Sequence, residues 1–357
     1  MSKIKVAVIF GGVSSEHDIS LVSATNVIEN MPKDKYQITC IGITKKGRWL
    51  YYPGDVSNIA SGEWEKDPDC SSAIISPDPL HKGIIVLENG EYTRRKIDVV
   101  FPVLHGKNGE DGTIQGLLDL ARIPYVGCGL LASASCMDKA HTHSVLDYNG
   151  IKTAKWAMLG LRDINALDKK CTEIADRLGF PMFVKPANAG SSIGINKADD
   201  LEALKDAVKI AFSHDNKVII EEFIKGRELE VAVFGYDSPF ASYVGEIGKS
   251  NDFYDYESKY INNSVNLIVP AEISDEAEKE IRETAVNAYK AMGCKGLSRV
   301  DFFLTDNRQV VLNEINTMPG FTPISMYPKL MEDLGMTYPY LIDKLIEQAI
   351  DNAERNY

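Results

Sequence analysis

Near its C-terminal end the chain sets charged side chains into what should be buried strands, and this conflict restricts the fold more than any other feature. Residues 299–325 read RVDFFLTDNRQVVLNEINTMPGFTPIS. Val310, Val311, Leu312 and Ile315 predict one buried strand and FFL a second, with the hairpin signal TDNRQ between them. Asp301 stands just before FFL, and Glu314 and Asn316 alternate on the other run. Residues two apart on a strand share a face, so Glu314 and Asn316 point the same way, and the hairpin can bring Asp301 level with them. Buried strands seldom carry unpaired acids. Oxygen ligands of this kind suit Mg²⁺, which takes a few carboxylates plus substrate phosphates rather than a full protein cage. The alternative is a solvated hairpin face.

A length of 357 residues predicts two or three domains, and 44% hydrophobic with 25% charged residues is ordinary globular composition. No apolar run approaches the roughly 18–20 residues of a membrane span. The start, MSKIKVAVIFGG, passes from a short apolar run into a glycine-rich loop and lacks a cleavage pattern. It therefore reads as a first strand, with a cytoplasmic protein as the default expectation. Cys40, Cys70, Cys128, Cys136, Cys171 and Cys294 are scattered, form no CxxC and show no zinc spacing, which predicts free buried thiols. A net charge of −12 argues against nucleic acid, and an anionic nucleotide would need local Lys and Arg to bind.

Along the chain, strands are predicted at Lys5–Phe10, Gln37–Ile43 and Asp98–Pro102, with a helix from Ser20 to Ile28 and another through Leu120 capped by Asp111 or Thr113. Residues 55–80 read as a polar insert. The strand–helix alternation indicates an α/β class with a parallel N-terminal sheet. Beyond residue 128 the pattern changes to a helix at Asp138–Asn149 and strands FVKP and VIIEEF flanking ANAGSSIG and the helix Asp199–Ser213. Strands at Glu230–Phe234, Ser242–Gly248 and Val265–Val269 follow, then a helix Ser274–Met292 with Ser274 as N-cap, the acid-bearing hairpin, and a final helix Tyr338–Arg355.

Two glycine loops invite a phosphate. Gly11–Ser20 lies between a strand and a helix, where backbone N–H groups attract anions. Ala189–Gly194 (AGSSIG) offers close backbone approach and hydroxyl donors, with a plain β-turn as its alternative. Gly127, Gly129 and Ala132 match GxGxxA but lack a credible acidic ribose partner, and no P-loop motif is present. Lys185 on an apolar strand either reaches solvent or meets an anion; Lys139 follows the same logic more weakly. Glu221, Glu222 and Glu228 at strand ends are candidate acceptors for a nucleoside or are surface charges. FYDYESKY (253–260) reads as an irregular functional loop or an exposed hairpin tip. His141 and His143, two apart on a helix, do not face one site, and the histidines form no convincing metal set.

In order, GGVSSEHDIS, LHGKNGEDGTIQG, MDK, FVKPANAGSSIG, FYDYESKY, SRVDFF and NEINTMPGFTPIS resemble the ATP-grasp enzymes, and closely the D-alanine–D-alanine ligases, from Ile4 to about Glu347. The resemblance implies a three-domain ATP-grasp fold: 1–127 with the first D-alanine site, 128–220 with a phosphate lid, and 221–357 with the Mg²⁺ site and a substrate lid. It implies that Glu16 holds the ammonium of the first D-alanine, linked through Ser191 to Tyr260, with His105 nearby. Lys139, Lys185, Glu221 and Glu228 would bind ATP; Ser192 would close over the phosphates and Lys259 would reach the γ-phosphate. Asp301, Glu314 and Asn316 would hold two Mg²⁺ (or Mn²⁺), Glu314 bridging. Arg299 and the Gly320 N–H would stabilise an oxyanion, and Ser325 and Met326 would receive the second substrate's carboxylate. A homodimer is the usual family assembly.

The intact FYDYESKY disfavours D-lactate as the second substrate, since ligases of that kind replace this lid. D-serine ligases of the family typically carry Arg where this chain has Met326, and a site without that donor has no hydrogen-bond reason to prefer serine. D-alanine is therefore expected, with D-serine as the alternative.

Overall fold

The computed structural model describes residues 2–88, 90–190, 194–248 and 266–356. Ser191, Ser192, Lys259 and Tyr260 lie outside the described residues, and with them two members of the Glu16–Ser191–Tyr260 triad, half of the expected lid at 189–194 and all of the expected lid at 251–263.

The first sheet begins with β1 (Ile4–Gly11), followed by α1 (His17–Asn30) and β2 (Tyr36–Ile43). β1 is fully buried from Val6 to Phe10, as a run with apolar residues on both faces requires when it is covered on both sides. Three strands expected from the sequence are parallel: β1 pairs with β2 on one side and, on the other, with β7 (Val99–Val103). The sheet is not wholly parallel, however. β3 (Trp49–Tyr52), the one-turn helix α2 (Ser57–Ala60), β4 (Ser71–Ile75), β5 (Gly83–Glu88) and β6 (Glu91–Lys96) extend it through antiparallel pairs to the order β6-β5-β4-β3-β2-β1-β7. The polar insert thus contains structure anchored by Trp64, which is wholly buried and meets the Phe10 ring edge-on at 5.1 Å. α1 also starts three residues before Ser20, because the Ser20 hydroxyl is spent on the Gly11 N–H and the Val103 carbonyl rather than on a cap.

After α3 (Thr113–Ala121), the helices α4 (Leu130–Met137) and α5 (Lys139–Tyr148) lead to the second sheet. Asp138 caps α5 by accepting from the His141 N–H at 3.1 Å. β8 (Trp156–Gly160), α6 (Leu167–Leu178), β9 (Met182–Pro186), β10 (Asn196–Ala198), α7 (Leu201–Phe212) and β11 (Lys217–Glu222) form an antiparallel sheet of order β10-β9-β11-β8 with helices packed on it. Its core is drawn entirely from residues 157–220.

The third sheet contains β12 (Gly226–Gly235), β13 (Phe240–Ala241), β14 (Gly245–Ile247), β15 (Leu267–Ile268), β16 (Gly296–Thr305) and β17 (Val310–Asn316), backed by α8 (Asp275–Ala291). Ser274 caps α8 through the Ala277 N–H, and Asp275, Glu276 and Glu278 fill its first turn, as expected. The predicted hairpin is β16–β17, and its register sets Asp301 opposite Glu314 and Arg299 opposite Asn316. Two further helices follow: α9 (Met326–Asp333), which the sequence reading did not include, and α10 (Tyr338–Asn356). Both pack against the first sheet as well as the third, so one apolar cluster runs from Val8 and Val27 to Leu330 and Leu345. α4 and α5 contribute Cys136 and Leu146 to the core of the third sheet rather than of the second.

Candidate active site

A cleft of about 740 Å³ opens between the three sheets and collects most of the sequence-predicted residues: Glu16, His105, Lys139, Lys185, Glu221, Glu228, Arg299, Glu314, Asn316 and Gly320 all line it. Its floor is the end of β17 and the turn 317–320, and its roof is the β9–β11 face.

Lys185 and Glu221 face one another on adjacent antiparallel strands, Nζ to Oε2 at 2.6 Å. Lys185 does meet an anion, and in this structure that anion is a carboxylate of the cleft wall. Glu221 Oε1 takes a second bond from His143 Nε2 at 2.8 Å, which puts the proton on Nε2. Burial opposes the charge on Glu221, but Lys185 and His143 outweigh it and hold the carboxyl well below its usual range. Burial likewise opposes the charge on Lys185, and Glu221 overrides it and raises the amine. His143 stacks on Trp156 at 5.4 Å, and its Nδ1 finds no hydrogen-bond partner among the described residues. Lys139 Nζ donates to the Ala189 carbonyl at 2.7 Å, tying the helix start to the glycine loop.

Deeper in the cleft, Arg299 holds Asp301 through two bonds of 2.8 and 2.7 Å and reaches Glu230 at 3.0 Å. Asp301 is buried beneath this guanidinium and does not line the cleft, and Asn316 Nδ2 donates to it at 3.0 Å. That bond uses the amide nitrogen of Asn316 and turns its oxygen away from Asp301. Two carboxylates and an amide oxygen on paired strands form the hard donor set that Mg²⁺ takes, and Arg299 is the cation bonded to Asp301 in this structure. Among the described residues no group of three His, Cys, Asp or Glu side chains is arranged to hold a metal.

Glu16 lies at the start of α1, walled in by Gly106 and Gly190. A Cβ on Gly106 would collide with Glu16 Oε2, and one on Gly190 would come within 3.0 Å of it. Glu110 sits beside it, accepting from the Gly106 N–H at 2.6 Å. Glu110 keeps slight access to the cleft, yet loss of hydration and the neighbouring Glu16 charge push its carboxyl above the usual range. His105 is buried, and burial lowers its imidazole to about 4.

Family models described as "D-ala D-ala ligase N-terminus" and "D-ala D-ala ligase C-terminus" match residues 5–128 and 145–347. The chain belongs to the D-alanine–D-alanine ligase family. It is 49% identical to the D-alanine–D-alanine ligase of Acetivibrio thermocellus, across 99% of this chain and 98% of that one. It is 50% identical to the ligase of Ruminiclostridium cellulolyticum, across 99% and 97%. Among solved structures, the VanG D-Ala:D-Ser ligase from Enterococcus faecalis superposes with a TM-score of 0.90 at 44% identity, covering 98% of this chain and 100% of that one. The D-alanine–D-alanine ligase from Coxiella burnetii superposes at 0.88 and 36% identity, covering 100% and 96%. The fold is therefore the ATP-grasp fold of this ligase family.

Among the described residues, three predicted ones fall outside the cleft lining. Asp301 is one. Ser325 occupies the N-cap position of α9 but makes no capping bond; it bonds Thr322, Oγ to Oγ1 at 2.8 Å, so it braces the turn carrying Gly320. Met326 is only 5% exposed and sits in the apolar core beside Gly245 and Leu330. The sequence reading missed Glu110, His143, Lys197 and the Arg227–Glu246 pair (2.8 and 2.6 Å), all of which line the cleft. Glu110 lay in a quoted motif, LHGKNGEDG, but nothing in its spacing marks it as facing Glu16. Gly127, the first glycine of the GxGxxA match, instead makes room for Met318, whose Cε would lie 2.9 Å from a Cβ there.

Proposed function

We propose that this ligase joins two D-alanines into D-alanyl-D-alanine for peptidoglycan synthesis, converting ATP to ADP and phosphate. The observation that carries the reading is the gathering of Glu16, Lys139, Lys185, Arg299, Glu314, Asn316 and Gly320 in one cleft of a chain about half identical, over nearly its full length, to named D-alanine–D-alanine ligases. In this reading residues 1–127 hold the first D-alanine, 128–220 cover the phosphates, and 221–357 carry the metal ligands. Glu16 takes the ammonium of the first D-alanine. A carboxylate oxygen of that substrate attacks the γ-phosphorus, the bond to ADP breaks, and an acylphosphate forms. Lys139 and Lys185 neutralise the phosphate oxygens; to do so Lys185 must share or leave Glu221. The amine of the second D-alanine then attacks the acyl carbon, and Arg299 and the Gly320 N–H face the oxyanion that develops. The adduct expels phosphate, and the nitrogen loses its proton. Asp301, Glu314 and Asn316 would hold Mg²⁺ (or Mn²⁺), which supplies charge neutralisation to phosphoryl transfer. Acylphosphates hydrolyse readily, so the segments at 189–194 and 251–263 are assigned as lids that exclude water, with Ser191, Ser192, Lys259 and Tyr260 acting as the resemblance implies. The reading places the enzyme in the cytoplasm, where ATP is, as a homodimer.

A second reading, D-serine as the second substrate, draws on the likeness to the VanG D-Ala:D-Ser ligase. Against it, the buried thioether of Met326 provides no hydrogen-bond donor for a serine hydroxyl. Phosphate release with Mg²⁺ and ATP, from D-alanine alone and from D-alanine with D-serine or D-lactate, with products identified by mass, separates them. D-Alanyl-D-alanine from D-alanine alone is expected. Turnover only with D-serine selects the second reading, and no turnover with any D-acceptor removes both.

A further inference from the structure

The turn from Thr317 to Thr322 carries the Gly320 N–H, and Gly320 itself has no side chain to orient it. On both sides of Gly320 the backbone is held by groups from distant parts of the chain. The Met318 carbonyl accepts from His105 Nδ1 at 3.2 Å, and the Met318 N–H meets the Glu110 carboxylate. The Phe321 N–H donates to Ser23 Oγ at 3.3 Å, and the Phe321 carbonyl accepts from Asn26 Nδ2 at 2.9 Å and Tyr338 Oη at 2.6 Å. The Phe321 ring is wholly buried, edge-on to Phe101 at 5.8 Å and to Tyr338 at 6.2 Å.

With His105 neutral, as its burial favours, these bonds permit one consistent assignment of protons. A backbone carbonyl only accepts, so His105 Nδ1 carries the hydrogen. A backbone N–H only donates, so Ser23 Oγ accepts from Phe321. The Ser23 hydroxyl hydrogen is left for His105 Nε2, 3.1 Å away. The line runs Phe321 N–H to Ser23, Ser23 O–H to His105, His105 Nδ1–H to Met318. Both nitrogens of a neutral imidazole are occupied within the protein, so His105 has no lone pair or proton to offer a substrate. Between the two clamped residues the proline ring of Pro319 fixes its own φ. Few torsions then remain to set the Pro319–Gly320 peptide plane, whose N–H is the donor.

We propose that Ser23, Asn26 and Tyr338, with His105 as a neutral relay, are positioning residues that aim the Gly320 N–H at the reacting carbonyl. The inference rests on the reading of Gly320 as an oxyanion donor. Oxyanion stabilisation depends on donors fixed before reaction, and displacement of about 1 Å can cost roughly a hundredfold in rate.

The test uses the full-length enzyme and the variants Tyr338→Phe, Ser23→Ala and Asn26→Ala/Tyr338→Phe. Tyr338→Phe removes one hydroxyl and keeps the ring packing, so it guards against misfolding. For each, kcat, the KM values for ATP and D-alanine, the thermal midpoint, and the affinity for a phosphinate dipeptide resembling the tetrahedral adduct are measured. The double variant should lose roughly ten- to hundredfold in kcat and a similar factor in phosphinate affinity, with KM for ATP within about twofold. Tyr338→Phe should show the same pattern in smaller degree. Unchanged kcat and phosphinate affinity in an active background overturn the clamp alone. Parallel losses in ATP affinity and thermal midpoint also overturn it, since they mark a structural role. A wild-type enzyme that neither makes the dipeptide nor binds the phosphinate overturns the oxyanion reading, and the clamp with it.

Discussion

At the scale of single residues, Glu221 shows how a side chain can be visible in sequence while its role is not. The run VIIEEF marks Glu221 as an acid at the end of a buried strand, and FVKP marks Lys185 as a cation on another. Their meeting depends on the antiparallel pairing of β9 with β11, which opposes Lys185 to Ile219 and leaves Glu221 two positions along on the same face. The third member, His143, comes from α5, where its spacing to His141 pointed away from a shared site. The carboxyl of Glu221 is held low in the folded protein, so its contribution to stability is present above its unfolded value of about 4.5 and is lost as pH falls toward the folded value. Glu221→Gln should therefore destabilise the protein by about 3 kcal/mol near neutrality, because it leaves the Lys185 charge largely buried and without its carboxylate. The gap between variant and wild type should shrink as pH is lowered from about 5. Denaturant melts across that range measure it, and a gap that is constant or widens in acid would mean Lys185 and His143 do not set the ionisation of Glu221.

Among the elements, the loop from Leu104 to Thr113 illustrates a constraint that glycine alone meets. Gly106 has φ +69° and packs against the Glu16 carboxylate, and its carbonyl accepts from the Gly109 and Glu110 N–H groups at 3.1 and 2.9 Å. Gly106→Ala both strains the turn and pushes Glu16 off its position. It should cost about 1 kcal/mol of stability and raise KM for the first D-alanine roughly tenfold or more, the loss of about one charge-assisted bond. Steady-state kinetics beside thermal melts check this, and an unaltered KM would remove Glu16 from the proposed ammonium site. The elements themselves were legible where apolar periodicity was strong. β1, the hairpin β16–β17, α8 with its Ser274 cap, and α10 follow from pattern and capping. β4 and β6 did not, since SSAII and EYTRRK carry little alternation: β6 is an almost wholly exposed edge strand, and only its neighbours define it. α9 escaped for a related reason: it follows a turn holding Pro319 and Pro323, and the Ser325 hydroxyl at its start bonds back to Thr322 instead of capping the helix.

For the whole molecule, the arrangement of cores predicts which parts move together. One cluster joins β1, α1 and β7 to α9 and α10, and Lys35 reaches across to Asp343 and Glu347 at 2.7 and 2.5 Å while the Tyr36 hydroxyl bonds Asp343 at 2.5 Å. The first and third sheets thus share apolar burial and a buried-edge ion network. The second sheet keeps a core of its own and meets the rest chiefly across the cleft. Segments that share a core open as a unit, and a segment with a private core can open alone at lower free energy. Native-state hydrogen exchange should accordingly show amides of β1, β7, β12 and β16 exchanging with one common free energy, and those of β8, β9 and β11 with a smaller one. A non-hydrolysable ATP analogue with Mg²⁺ should slow exchange in β9 and β11 more than in β1, because in the proposed reading it bridges the cleft from the Lys185–Glu221 wall to the β16–β17 acids. Equal exchange in all three sheets would mean the cleft is a groove in one cooperative body. The enzyme would then have to admit substrates by movement of its loops alone rather than by swinging the second sheet away from the other two.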